Sequence, residues 1–102
     1  TDAASAAAGC SPAYVYMMIE AMADAAVLEG MPRAQAYRFA AQAVVGAGKM
    51  VLESGQHPGA LKDAVCSPGG TTIEGVRTLE ACGFRSSVTE ALIATVDKAR
   101  SL

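Results

Sequence analysis

The stretch Ser67-Pro68-Gly69-Gly70-Thr71-Thr72 holds the residues of this chain best suited to chemistry. Pro68 and the two glycines interrupt the chain, and an apolar run resumes behind the threonines. Thr71 and Glu74 have the spacing of a capping box, which predicts Thr71 as a helix N-cap and Thr72 as the first helical residue. The glycines remove side chains where backbone N–H groups gather at a helix start. Unpaired donors, the positive end of the helix dipole and room for close approach together make an anion cradle. A small carboxylate would sit there without an arginine, while the Thr72 hydroxyl reaches a second polar atom of the same ligand. The same residues also read as a plain helix start after a turn, and the pattern leaves both readings open.

Other candidates for chemistry fail on spacing. In AVVGAGKM the third glycine of a dinucleotide fingerprint would fall on Val51, and no βαβ unit follows. A phosphate-binding P-loop needs Ser or Thr after Gly48-Lys49, where Met50 stands. Ser11 has no histidine in a suitable motif. Cys10 and Cys66 have no activating partner and read as inert thiols. His57, the only histidine, precedes Pro58 and reads as a structural hydrogen-bonding group. Without a Cys/His cluster around it no metal site is expected. Met17, Met18, Met22, Met31 and Met50 read as core or interface filler more readily than as an adaptable binding surface.

The elements that must position the 67–72 stretch are helical. Residues 2–8 predict a short lead-in ending at Gly9. Ser11-Pro12 predicts the next start, with Ser11 as N-cap and Pro12 at the first helical position, and Gly30 predicts its end. Glu20, Asp24 and Glu29 leave nearly all the rest of that helix apolar, so it is expected to be buried between subunits. Met31-Pro32 opens a second long helix to about residue 53. There Ala40, Ala43, Gly46 and Ala47 would let another helix approach closely. Each glycine costs about 1 kcal/mol relative to alanine, so Gly46 and Gly48 point to a packing demand. Pro58 opens a short helix to about Val65, TTIEGVRTLEACG forms the next, and the last begins at Ser86 or Ser87. Val88, Ala91, Leu92, Thr95, Val96 and Ala99 lie along one of its faces. The reading is all-α, with five helices after the lead-in and no convincing strand.

Composition narrows the function. The 102 residues form one domain, 52% hydrophobic and only 18% charged, against about a quarter charged in ordinary soluble domains. So apolar a small chain is expected to hide surface against a partner. A net charge of −2, a pI near 5.2 and few aromatics argue against a nucleic-acid partner. The acids in the longest apolar stretch argue against a membrane span, and no signal-peptide pattern opens the chain. Cys10, Cys66 and Cys82 are odd in number and far apart, which argues against a disulfide framework and for a reducing cytoplasm.

Several segments carry a family resemblance, in order along nearly the whole chain. KDAVCSPGGTTIEGVRTLE closely resembles the signature of pyrroline-5-carboxylate reductase. GCSPAYVYMMIEAMADAAVLEGMPR, AAQAVVGAGKMVLESGQHPGALKD and LEACGFRSSVTEAL resemble its neighbouring segments. The resemblance covers that family's C-terminal half. It implies an all-α helical bundle of the 6-phosphogluconate dehydrogenase C-terminal-like kind, residues 1–102, forming an intertwined homodimer that commonly assembles into a decamer. A Rossmann domain binding NADPH or NADH, on the order of 100–200 residues, would lie outside this chain, so the 102 residues alone are expected not to catalyse. The family reduces L-1-pyrroline-5-carboxylate to L-proline in proline biosynthesis. By resemblance the substrate loop spans Val65 to Thr72. Backbone N–H groups around Gly70 and Thr71 would hold the carboxylate, with Gly69 in the same substrate-binding loop and Ser67 shaping it. The Thr72 hydroxyl would be the catalytic group at the ring nitrogen, and Pro12 would lie near the nicotinamide. The chain departs from some relatives at Cys10, Ser11, Gly55, Ala25 and Ala26, none of them in the cradle. The alternatives are a helical oligomerisation module without a ligand role, and a helical domain of another β-hydroxyacid-type dehydrogenase. For the latter, Lys49 is the only mid-helix lysine candidate.

Overall fold

The computed structural model describes residues 1–101, and these form helices with no strand among them. The helices are α1 (Asp2–Ser5), α2 (Ser11–Leu28), α3 (Arg33–Ser54), α4 (Pro58–Ala64), α5 (Thr71–Ala81) and α6 (Phe84–Ser101). A π-helical turn, Ala6–Cys10, joins α1 to α2. No helix among the described residues is long and apolar enough to cross a membrane. Contacts divide the chain into two units: Ser11–Gly55, and Thr1–Cys10 together with the segment from Gln56 onward.

The first of these units is the α2–α3 hairpin. Its turn is closed at Gly30, whose positive φ of 106° suits a residue without Cβ. Gly30 N–H donates to the Val27 carbonyl and Met31 N–H to the Ala26 carbonyl, at 2.9 and 3.0 Å. This is the Schellman pattern of paired bonds, and it satisfies carbonyls left open at the helix end. Arg33 pairs with Asp24 across the turn and lies 5.7 Å from the centre of the Tyr37 ring. The seam between the helices is made of small residues: Ala23 is fully buried, and Ala36 and Ala40 nearly so. Larger apolar side chains stay outside it, with Leu28 and Leu52 each 85% exposed. Of the residues expected to allow close approach along α3, Ala40 lies in this seam, and Ala36, one turn earlier, joins it. Ala43, Gly46 and Ala47 are exposed, and a Cβ added at Gly46 or Gly48 would meet no atom within 4 Å.

The second unit is built around α6. Ala91, Leu92, Thr95 and Val96 form its half-buried face, which packs toward α1, the π-helical turn and α5. These four recur at helical spacing in the middle of the expected face, while Val88 and Ala99, expected on the same face, are exposed. Asp2 pairs with Arg100 at 3.4 Å, and Ala6 is buried. His57 caps α4, its Nδ1 accepting from Gly59 N–H at 2.9 Å, as the structural reading of that histidine expects.

Three boundaries differ from the sequence expectation. The lead-in does not end at Gly9, and Ser11 is not an N-cap, because helical structure continues through the π-helical turn into α2. Pro12 lacks an N–H, and its ring would strike the Ala8 carbonyl in a regular α-helix. The wider π-helical turn lies over this stretch, which lets the helix continue past a residue that ordinarily starts one. The last helix begins at Phe84, not at Ser86 or Ser87, because the Gly83 carbonyl already accepts Ser87 N–H at 2.9 Å. Thr71 is the first residue of α5, and Gly70 occupies the N-cap position.

The alanine seam sets a test. Ala36→Leu places a branched side chain where a methyl fills the gap and should destabilise the assembled protein by about 1–3 kcal/mol. A lower urea midpoint with an unchanged slope is the expected reading.

Candidate functional site

The α4–α5 connection is a tight turn with a helix start behind it. Val65 and Cys66 spend their N–H groups closing α4, on the carbonyls of Lys62 and Asp63. Gly70 N–H donates to the Ser67 carbonyl at 3.0 Å, closing a turn with Pro68 and Gly69 at its corners. Gly69 has φ of 70°, the conformation that a Pro-Gly type II turn requires at its third residue. Gly70 has an ordinary extended conformation, φ −83° and ψ 179°. Its need for glycine is steric, since a Cβ there would lie 2.5 Å from Ser67 Oγ and 3.2 Å from the Ser67 carbonyl oxygen.

Behind the turn, α5 begins without a side-chain cap. The N–H groups of Thr71, Thr72 and Ile73 have no intrahelical partner, as in the first turn of any α-helix. Gly69, Thr71 and Thr72 are exposed and Gly70 is half-buried. The Thr72 hydroxyl makes no hydrogen bond within the described residues. An anion could approach along the helix axis and find several donors, with a hydroxyl beside them.

Two details correct the expected cradle. The Gly70 N–H is committed to the turn, so the open donors begin one residue later and extend to Ile73. The Thr71–Glu74 capping box does not form. Glu74 turns instead to Arg77 one helical turn on, whose Nε lies 3.1 Å from both carboxylate oxygens. The hydrogen bonds from Arg77 hold the Glu74 carboxyl below the usual carboxylate range. Folding therefore favours the ionised Glu74. The benefit is present above the unfolded pKa and is lost as pH falls through the lower, folded value.

Of the residues singled out in the sequence, Val65, Ser67, Gly69, Gly70, Thr71 and Thr72 lie together in this connection. Pro12 belongs to the other unit, half-buried as the second residue of α2. Sequence reasoning overlooked the Ile73 amide and Arg77. Counting donors from a Gly70 cap would have found the first, and the i, i+3 spacing of Glu74 and Arg77 the second.

Comparison with known proteins decides the family. The family model described as pyrroline-5-carboxylate reductase dimerisation matches residues 1–102. The chain belongs to that family. It is 71% identical over 94 residues to the pyrroline-5-carboxylate reductase of Escherichia coli strain K12, covering 92% of this chain and 35% of that protein. A solved 1-pyrroline-5-carboxylate reductase from Streptococcus pyogenes superposes with a TM-score of 0.95 at 46% identity, over 99% of this chain and 39% of that one. A Plasmodium falciparum pyrroline carboxylate reductase solved with NADP bound gives 0.93 at 39% identity, over 98% of this chain and 38% of its own. The chain thus spans about a third of the length of the curated relatives it matches. Membership in the reductase dimerisation family gives the exposed apolar side chains of α2 and α3 a physical context, since a subunit interface would cover them.

Both the turn and the ion pair can be tested directly. Gly70→Ala should cost about 1–2 kcal/mol of stability from the clash alone. Adding Ser67→Ala should return part of it, because the Oγ contact goes while the carbonyl contact stays; thermal unfolding of the pair checks this. In an NMR titration the Glu74 carboxyl should show a lower midpoint in the parent than in Arg77→Gln.

Proposed function

We propose that this chain is the substrate-binding and dimerisation part of a pyrroline-5-carboxylate reductase, which reduces L-1-pyrroline-5-carboxylate to L-proline with NADPH or NADH. The observation that carries the reading is the uncapped start of α5. It offers the amides of Thr71, Thr72 and Ile73 and a free Thr72 hydroxyl, behind a turn that the glycines keep tight, in a chain of this family. The substrate carboxylate lies against the amides, where the helix dipole favours negative charge. The Thr72 hydroxyl then meets the ring nitrogen, which receives a proton as the C=N bond is reduced. Its work is positioning more than strong acid–base chemistry. Ser67 and Val65 shape the loop that holds these groups.

The described residues do not make a dinucleotide cradle. They contain no strand, and the Gly46-Ala47-Gly48 stretch lies inside α3. The nicotinamide cofactor, which supplies the hydride, is therefore assigned to other residues of the reductase, with Pro12 the one candidate here for a contact. We assign the exposed apolar side chains of the α2–α3 unit, among them Tyr16, Met17, Val45 and Leu52, to the interface of a homodimer. Burying each such side chain is worth about 1.5–3 kcal/mol, which favours a second copy as the cover.

Thr72→Ala in the intact reductase should lower kcat/KM about 10- to 100-fold, the worth of one hydrogen bond to a charged or developing charge. Thr72→Ser should keep most of the activity. Unchanged turnover in Thr72→Ala would remove the hydroxyl from the mechanism. Titration with L-proline should move the amide signals of Gly69 to Ile73, and silence there favours an oligomerisation module without a ligand. In sedimentation velocity at micromolar concentration the chain should run as a dimer, and a stable folded monomer would contradict the interface.

A further inference from the structure

The cradle has an anion of its own within reach. Glu74 sits in the first turn of α5, four residues past the Gly70 cap and three after Thr71, next to the open N-terminal amides. Helical side chains also lean toward the helix N-terminus. An unrestrained Glu74 would therefore place its carboxylate at the donors that the reductase reading gives to the substrate. In the structure it does the opposite. Arg77 holds it from the C-terminal side, with Nε bridging both oxygens at 3.1 Å and Nη2 bonded to Oε1. This fork gives the carboxylate a partner other than the amides and favours its charged form.

We propose that Arg77 is a positioning residue for substrate binding: by clamping Glu74 it keeps an internal carboxylate off the amides of Thr71, Thr72 and Ile73 and neutralises a charge that would repel the substrate carboxylate. The inference rests on the assignment of those amides to the substrate. Arg77 touches no reacting atom. It removes a competitor, so its effect belongs to the affinity for carboxylate ligands and leaves the turnover step alone.

The test uses the intact reductase and two probes of one shape, L-proline and its neutral amide, L-prolinamide. Arg77→Gln should weaken L-proline binding and raise the KM for pyrroline-5-carboxylate about three- to tenfold, the range expected for one unscreened charge at this spacing near a surface. L-Prolinamide binding and kcat should change less than twofold. The double variant Glu74→Gln/Arg77→Gln should return L-proline binding to within twofold of the parent. A structural defect would not be repaired this way, because the second change removes a further side-chain contact. Failure of the double variant to recover overturns the proposal, as does equal weakening of both probes. Unchanged binding in Arg77→Gln, with Thr72→Ala still impaired, overturns it while leaving the site in place. If Thr72→Ala, Gly70→Ala and Arg77→Gln are all silent toward L-proline, the site assignment itself fails.

Discussion

The side chains buried among the described residues are all alanines: Ala6, Ala23, Ala36 and Ala40. That constraint governs the rest of the structure. A methyl group returns little on burial, less than 1 kcal/mol per carbon, while each residue ordered into a helix costs about 1–2 kcal/mol of backbone entropy. Alanine contacts bring α2 and α3 close together but cannot hold them by themselves. The residues with enough apolar surface to do so, such as Tyr16, Met17, Leu28, Phe39 and Leu52, face outward. The long helices therefore depend on apolar cover beyond their own seam, and a family defined by dimerisation supplies a reason for it.

Much of the fold was legible because helical periodicity and chain stops are local. The periodicity found the half-buried middle of α6, Ala91 to Val96, though Val88 and Ala99 at its ends are exposed, and Gly30 marked a stop that the Schellman bonds then confirmed. The junction at residues 6–12 was not legible for the same reason. Gly9 and Pro12 each carry a local signal for a break, and reading them one at a time gives two helices. The chain accommodates the proline by widening one turn, a response that depends on several residues together and leaves no single-residue mark. Along α3 the small residues were read as one packing stripe. Of that stripe Ala40 is buried while Ala43, Gly46 and Ala47 are exposed, because the pattern records a capacity for close approach without saying which part of the helix uses it.

At the candidate site the turn was legible and the donor count was not. Pro68-Gly69 is turn chemistry in any setting. The capping-box pattern, by contrast, names two residues and ignores rivals for either one. Glu74 has two possible partners at three-residue spacing, Thr71 behind it and Arg77 ahead. A charged fork forms a stronger bond than a neutral amide does, so Glu74 goes forward. Thr71 is then left as an ordinary first residue, and Gly70 becomes the cap. It is the Gly70 N–H, spent on the Ser67 carbonyl, that moves the open amides one residue on.

That shift carries a physical point about how the loop divides its labour. The turn needs the Gly70 N–H, and closing α4 needs those of Val65 and Cys66. Neither function can give up its donors without loosening the connection. What remains open is the first turn of α5, whose amides no α-helix can satisfy internally. The two glycines thus act first on the backbone: Gly69 supplies a conformation and Gly70 supplies the absence of a Cβ beside Ser67. The tight turn they allow leads straight into a helix start with no side-chain cap. A side chain at Gly70 would act on both at once, by opening the turn and by crowding the approach to the amides behind it.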